Sequence, residues 1–380
     1  GSLWLALGES AGLVRIDPER GVLERHAYRR DAGTGLASDY LLSLARDHDG
    51  RLWIGSGDRG LDRLDPATGQ IERFGHGGVD GLPGPTVRAL LVTRAGALLV
   101  GTLGHGLAER CADCSGFIQH RRGSALGSLP DERVTALAES ANGRLWIGTR
   151  GSGLVLREPG GRSFVRVPLA LQDDSGLSIS DIVEDADGRL WLATYGDGVI
   201  RVEPRDDIGS PWSARRFDTT RGLSADHVSA LALDADGSVW IATARGIDRL
   251  NRKDNSIRSF GLRAGALASG YFLGAMAALP DGRIVAGGME GLSLLDPKAI
   301  SDRRGPLLPQ ITAFSVFNDT LAPVPGGRLR YGDDGHAELR LGYRDEMLGI
   351  TFSAPGFGAS DVPRFAFQLE GYDRDWIMAG

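Results

Sequence analysis

From Tyr40 to Phe74 the chain alternates apolar and polar residues in short runs, "YLLSLARDHDG", "RLWIGS", "GLDRLDP" and "QIERFG". A period of two over runs of this length reads as strands with one buried face. The stretches between them, "DHDG", "GDRG" and "ATG", carry the Gly and Asp chemistry of tight hairpins. The pattern therefore predicts four short antiparallel strands. It then returns along the chain. Aligned on "LWIG", the anchor position is Trp4, Trp53, Leu99, Trp146, Trp191, Trp240 and Val285, with successive anchors 45 to 49 residues apart. A repeat of that length made of strands predicts blades arranged radially. Seven anchors predict an all-β fold, a seven-bladed β-propeller of four-stranded blades over residues 1–300.

Taken alone, "GRLWIGTRGSGL" (143–154) looks like a phosphate-cradling loop, but no helix follows any of its copies, and such a loop needs one. The repeated Trp is expected to fill the space between neighbouring blades, where its burial is worth several kcal/mol. The Gly after it is expected where a Cβ does not fit. Blades three and seven carry Leu99 and Val285 at the anchor, and looser packing is expected there.

Composition changes this picture little. Glycine is the one unusual count, 56 of 380 residues, roughly twice the ordinary share of about 7%, as many tight turns require. The net charge of −6 and the scattered arginines argue against nucleic acid, which calls for a concentrated basic face. No apolar stretch reaches membrane-spanning length. The chain opens "GSLW" without Met and without the strand that leads into the other anchors, so a fragment of a longer protein is expected.

"GLSADHVSALALDADGSVWIATARGIDRLNR" (222–252) resembles the repeat of the two-component regulator propeller family: a GL-S lead-in, a D-x-D-G turn, a W-I-x-T strand, then G-I-x-R-L. The resemblance runs over roughly residues 1–298 and is clearest in blades two, four, five and six. After it comes a proline-flanked break, "SDRRGPLLPQ" (301–310), expected to be a semi-rigid linker. Residues 311–380 alternate like sandwich strands. Phe365, Phe367, Leu369, Glu370, Gly371, Tyr372, Asp373 and Trp376 resemble the opening of the triple-tyrosine, immunoglobulin-like domain that follows such propellers. A full sandwich needs about 100 residues, so a truncated one is expected. The resemblance implies the periplasmic, ligand-sensing part of a membrane-anchored signalling protein, anchored through flanking segments and dimeric in its parent, with a histidine kinase or diguanylate cyclase output elsewhere. It implies no catalysis and no cofactor in these residues.

In a four-stranded blade the loops from strand two to three and the loops between blades open on one face, where a concave site would lie. The first set supplies Glu9, Asp58, Arg59, His105, Arg150, Tyr195, Asp197, Arg245 and Glu290; the second adds Asp39, Tyr40, Asp226, His227 and Tyr271. These residues differ from blade to blade, whereas the turns on the opposite face stay close to "DADG". The candidate ligand-binding set is therefore Asp58, Arg59, His105, Arg150, Tyr195, Asp197, His227, Arg245, Tyr271 and Glu290. Such a mixture suits a small polar ligand, a glycan, an amino acid or a peptide. Arg59, Arg150 and Arg245 are suited to clamping a carboxylate.

Other motifs carry less. The "DADG" turns lack the further ligands of a calcium loop, and the dispersed histidines lack zinc spacing. Cys111 and Cys114, in "CADCSG", fall where a turn joins strands three and four, and a local disulfide is expected. Two other classes of function compete: a protein-interaction platform, and an enzyme like the streptogramin lyases, whose propellers resemble this repeat and in which His105 or His227 would act with Glu290. The sandwich-like tail favours the sensor.

Overall fold

The computed structural model describes the chain apart from residues 1, 9–11, 18–19, 30–34, 78–80, 112–113, 115, 263–265, 301–309, 318, 325–326, 332–336, 344, 346, 354–365 and 379–380. Glu9, Phe365 and nearly all of the expected linker thus lie outside the described residues. The chain separates into two compact units, Gly1–Pro297 and Lys298–Gly380.

Among the described residues the first unit holds seven antiparallel sheets, one after another along the chain. The second sheet sets the pattern with Leu41–Arg46, Leu52–Ser56, Leu61–Leu64 and Ile71–Phe74, each paired to the next. Sheets three to six repeat it, opening with Val87–Val92, Val134–Glu139, Ile179–Glu184 and Val228–Leu233. The first sheet begins at the strand bearing Trp4, and the seventh, from Met276 to Leu295, has three strands. The opening strands of sheets two to seven pack in succession against one another, which is the arrangement of propeller blades around an axis.

The anchor tryptophans do what their alternation implies. Trp53, Trp146, Trp191 and Trp240 are almost wholly buried. Trp191 packs with Phe217 against Val228, Val239 and Ile241 of the next sheet. The polar edge of the indole is satisfied by the turn at the foot of the same hairpin. The Trp191 Nε1–H donates to Asp185 Oδ2 at 3.0 Å, while Asp185 Oδ1 accepts the backbone N–H groups of Asp187 and Arg189. Asp234 repeats this with Trp240, Asp236 and Ser238, and Ser140 takes the Trp146 proton. The first Asp of "DADG" therefore ties a hairpin to a core side chain. The Arg of G-x-x-R-L lies over the same ring, Arg201 at 5.8 Å from the Trp191 centroid and Arg249 at 5.7 Å from that of Trp240.

Blade three is not loosely packed. Leu99 is fully buried among Val134, Leu145, Ile147, Val155 and Phe164. The His120 and Phe164 rings, 5.0 Å apart edge to face, supply the aromatic bulk that Leu99 lacks. Beside them Arg157 grips Glu109 across two blades through both guanidinium ends, and hydrogen bonds from His120 and Arg157 hold the Glu109 carboxyl down to about 2. In blade seven Val285 stays half-buried.

Two glycines show why the repeat keeps them. A Cβ on Gly148 would stand 2.7 Å from Ile179 Cγ2 in the opening strand of the next blade, so this residue sets how closely blades approach. Gly198 has φ +71°, and a Cβ there would lie 2.1 Å from the Phe217 carbonyl oxygen, a position open only to Gly.

The second unit has smaller sheets among its described residues: Gln310–Val316 between Asp319–Thr320 and Leu348–Ser353, then the pair Leu329–Tyr331 with Ala337–Leu339, then Ala366–Phe367 with Ile377–Met378. The stretch read as a sandwich strand around Phe367 is short because the following residues turn. Asp373 Oδ2 accepts the Leu369 N–H, and the Tyr372 and Asp373 N–H groups both donate to the Leu369 carbonyl. Val316 and Leu329 are buried, whereas Tyr343, Tyr372 and Trp376 stand exposed.

Candidate functional site

The loops from second to third strand and the loops between blades meet at one end of the first unit. In blade five the Tyr195 N–H donates to Ser178 O of its own lead-in, and the Gly198 N–H to Asp226 O of the next; blades two to four follow the same scheme. In blades two to six the hairpin is closed by the hydroxyl that ends the second strand. Thr194 Oγ1 donates to Gly198 O and accepts the Asp197 N–H; Thr149, Ser56 and Thr243 play the same part, and Thr102 makes the same closing bond to Gly106 O. The intervening side chains are left to point outward.

Three of the expected residues come together. The Tyr195 ring lies 5.3 Å from that of His227, and the Arg150 guanidinium sits 5.6 Å above the same Tyr195 ring. Blades four, five and six thus contribute one aromatic and cationic cluster, with Arg150 and His227 exposed.

The others are placed apart from it. Asp58 and Arg59 pair with each other at 3.7 Å and stay exposed, so the reading of Arg59 as a carboxylate clamp gains no free guanidinium. Asp197 is drawn to Arg216 of its own outer strand at 3.0 Å. His105 packs on Gly84 of the neighbouring lead-in, its Nδ1 buried without a partner. Arg245 is exposed. Tyr271 is buried and shares a hydrogen bond with Ser293 at 2.7 Å while accepting the Leu267 N–H. Glu290 accepts the Ala268 N–H and the Ser269 hydroxyl, bonds that hold its carboxyl below the usual range. Asp39 and Asp226 likewise bind their own loops, through Tyr28 N and Thr219. Cys111 and Cys114 are joined, their Cα atoms 5.1 Å apart, between the third and fourth strands of the third sheet.

Two residues that sequence reasoning passed over lie deeper. Every opening strand of blades two to six carries a β-bulge at its second residue: Leu42, Arg88, Thr135, Ser180 and Ser229. Thr135 and Ser180 use the bulge to donate to the next blade's opening strand, at Ile179 O and Val228 O. Blade three puts Arg88 there. It is 7% exposed and its Nη2 has no partner. Burial pushes its guanidinium below the ordinary arginine range, while Tyr195, Asp181 and Tyr40 act in the opposite sense. A Cβ on Gly274, in the lead-in to blade seven, would stand 4.0 Å from Arg88 Nη1. Arg88 thus lies beside Gly274 of the blade-seven lead-in and feels charged and polar groups of blades two and five.

Asp181 is the second departure from the repeat, standing where blades three, four and six have Ala89, Ala136 and Ala230. Its oxygens accept the Ile182 and Leu231 N–H groups at 2.9 and 2.8 Å. Burial nevertheless raises its carboxyl to about 6 against those bonds and the Arg88 charge. The signal for both residues was present in the sequence: "VRALL" and "ISDIV" are the charged exceptions to "VTALA" and "VSALA".

A shallow depression of about 500 Å³ beside the His105 loop, lined by Arg122, Gly123, Ser124 and Glu132, is open to solvent. Among the described residues no group of three His, Cys, Asp or Glu side chains could hold a metal ion, and no helix is long and apolar enough to cross a membrane.

Against this geometry the comparisons with known proteins can be read. Residues 35–58, 128–151, 173–196 and 222–245 match the family described as two component regulator propeller. These are the lead-in, opening hairpin and second strand of blades two, four, five and six. No curated protein matches the chain. Among solved structures, an extracellular domain attributed to a hybrid two component system, BT3049 of B. thetaiotaomicron, aligns with a TM-score of 0.72 at 20% identity, covering 100% of this chain and 48% of that one. A second such domain, BT4673 of the same organism, gives 0.61 at 19%, covering 100% and 50%. The chain therefore spans about half the length of these relatives. Virginiamycin B lyase from Staphylococcus aureus aligns at 0.58 and 15% identity over 78% of this chain and 91% of that one. At these identities the likeness is one of fold: the chain is an all-β propeller carrying repeats that match the two component regulator propeller family.

Proposed function

We propose that this chain is the periplasmic sensory region of a membrane-anchored signalling protein and binds a small polar ligand on the loop end of its propeller. In this reading the seven sheets are the blades of one seven-bladed ring over residues 1–300. Segment 301–310 is its joint, and 311–380 begins an immunoglobulin-like sandwich that relays the signal toward a kinase or cyclase output and a dimer partner. The observation that carries it is the cluster of Arg150, Tyr195 and His227, built from three blades at positions where the repeats otherwise have no common residue. The matched repeats and the shared fold with extracellular domains attributed to two component systems point the same way. The lyase reading is less favoured because Glu290 is engaged by its own loop.

A thermal-shift panel of sugars, amino acids and short peptides tests the site. A ligand at about 100 times its Kd stabilises by about 2.7 kcal/mol, enough to raise the melting temperature by several degrees. The shift is expected to vanish in Tyr195→Ala and His227→Ala. A ligand whose shift survives both changes binds elsewhere and overturns this placement. For the parent protein, a transmembrane helix and output domain encoded beyond this chain is the expected result, and a stop soon after it the contrary one.

A further inference from the structure

We propose that the Arg88 guanidinium is a subsite for a carboxylate, so that the ligand of the loop end is an acid. This rests on the ligand-binding reading above and gives it a chemical class.

The argument begins with the cost of the residue. A buried guanidinium is expensive unless its N–H groups are matched, yet Arg88 Nη2 has no acceptor. The repeat offers a cheaper alternative at this place, since Thr135 and Ser180 use their hydroxyls to staple adjacent blades. Arg88 makes no such staple. Asp181 bears on it electrostatically, but no ion pair joins the two, and both Asp181 oxygens already accept backbone N–H groups.

Charge on the surrounding face is lopsided in the same sense. Four of its acids are engaged, Asp58 by Arg59, Asp197 by Arg216, Glu290 by Ala268 and Ser269, and Asp226 by Thr219, whereas Glu132 finds no such partner among the described residues. Among the described residues Arg88, Arg150 and Arg245 have no acidic partner within ion-pair distance.

The stereochemistry then selects the anion. A guanidinium presents parallel N–H donors that match the two oxygens of a carboxylate. Tyr195 also bears on Arg88, and Arg150 over the Tyr195 ring adds positive charge on that side. The body of the ligand would extend outward over the Tyr195 and His227 rings, whose faces suit the apolar side of a sugar ring or a peptide.

The test uses the whole chain and three acid–amide pairs: acetate and acetamide, glucuronate and glucuronamide, and Ala-Ala and its C-terminal amide. Side-chain arginine NMR reads the subsite, and calorimetry reads affinity. Acetate is expected to move the Arg88 signal saturably, acetamide is not, and Arg88→Met is expected to abolish the response. Arg88→Lys keeps the charge but loses the paired donors, so an affinity about 10- to 100-fold lower is expected; this variant decides the matter if Arg88→Met does not fold. The tighter of glucuronate and Ala-Ala identifies the source of the carboxylate. If acetate up to 100 mM moves the Arg88 signal no more than sodium chloride of equal ionic strength, or acetamide binds as well, the subsite is refuted. A neutral ligand weakened by Tyr195→Ala but indifferent to Arg88→Lys would refute the carboxylate and leave the loop-end site standing.

Discussion

The two aspartates of one "DADG" turn should differ sharply in what they contribute, and blade five is the place to measure it. Asp185, with a side chain 1% exposed, accepts three N–H groups: Asp187 at 2.9 Å, Arg189 at 3.1 Å and the Trp191 indole at 3.0 Å. In Asp185→Ala the two turn amides lie near the surface and can find water. The indole N–H cannot, since Trp191 is 1% exposed. An orphaned buried donor costs about 1–3 kcal/mol, and each of the two lost turn bonds to a charged acceptor about 1–2 after rehydration, so the total is about 3–7 kcal/mol. Asp187 pairs only with the surface guanidinium groups of Arg189 and Arg252, which is worth about 1 kcal/mol or less. Urea unfolding followed by tryptophan fluorescence measures both, and an unchanged m-value would locate the effect in the native state. Calcium or EGTA should move neither midpoint. Equal losses for the two variants, or a calcium-dependent midpoint, would mean that the turn is held by a bound ion and that the indole tie is incidental.

Three further outcomes are expected. Burial raises the Asp62 carboxyl to about 6 from 3.8, so its ionisation opposes folding: the penalty is absent below pH 4, grows between pH 4 and 6, and reaches about 3 kcal/mol above that. The stability of Asp62→Asn relative to the parent chain should therefore rise across that window and level off above it, and a pH-independent difference would contradict the assignment. Gly148→Ala should cost about 1 kcal/mol and Gly148→Val about 3, because Ala193 and Ala242 already stand at the equivalent places while a branched side chain would meet Ile179; similar melting temperatures for the two variants would show that the blades can part. Thiol titration without reductant should find no free cysteine, and reduction should lower stability by no more than about 2 kcal/mol, since the bond from Cys111 to Cys114 closes a short loop.

What was legible in the sequence follows from what repeats. The Trp anchors, the Asp turns and the glycines recur because every blade meets the same packing problem, so seven noisy copies reinforce one signal. Leu99 misled because its compensation, the ring of Phe164 paired with His120, comes from a different blade at a position with no fixed spacing. The loop residues were legible as a set but not one by one. Whether Asp197 faces the axis or turns back to Arg216, and whether Tyr271 points out or seals its own loop, depends on rotamers and neighbours outside the repeat. Arg88 was missed for the converse reason: it sits in a strand, not a variable loop, at a position where blades four, five and six carry the small residues Thr135, Ser180 and Ser229.

That position explains how one scaffold separates stability from recognition. At the turn end an Asp side chain, a buried indole and a stacked Arg form a linked unit in blades five and six, and a change to any member disturbs the others. At the loop end the hairpins of blades two to six are closed by a single hydroxyl reaching a glycine carbonyl, Thr194 to Gly198 or Thr149 to Gly153, using no side-chain atom of the residues between. Those residues can change without loosening the blade. The bulged residue in the opening strands of blades two to six lies between the two regimes: it drops out of the pairing register, and its side chain either staples the next blade or is left for another use. A Thr or Ser there strengthens the ring and recognises nothing. Arg88 gives up that staple and accepts the cost of a buried charge, an exchange that stability alone does not favour. Tyr195 and Asp181 offset part of that cost from within the chain, and the proposed anion at Arg88 would supply the rest.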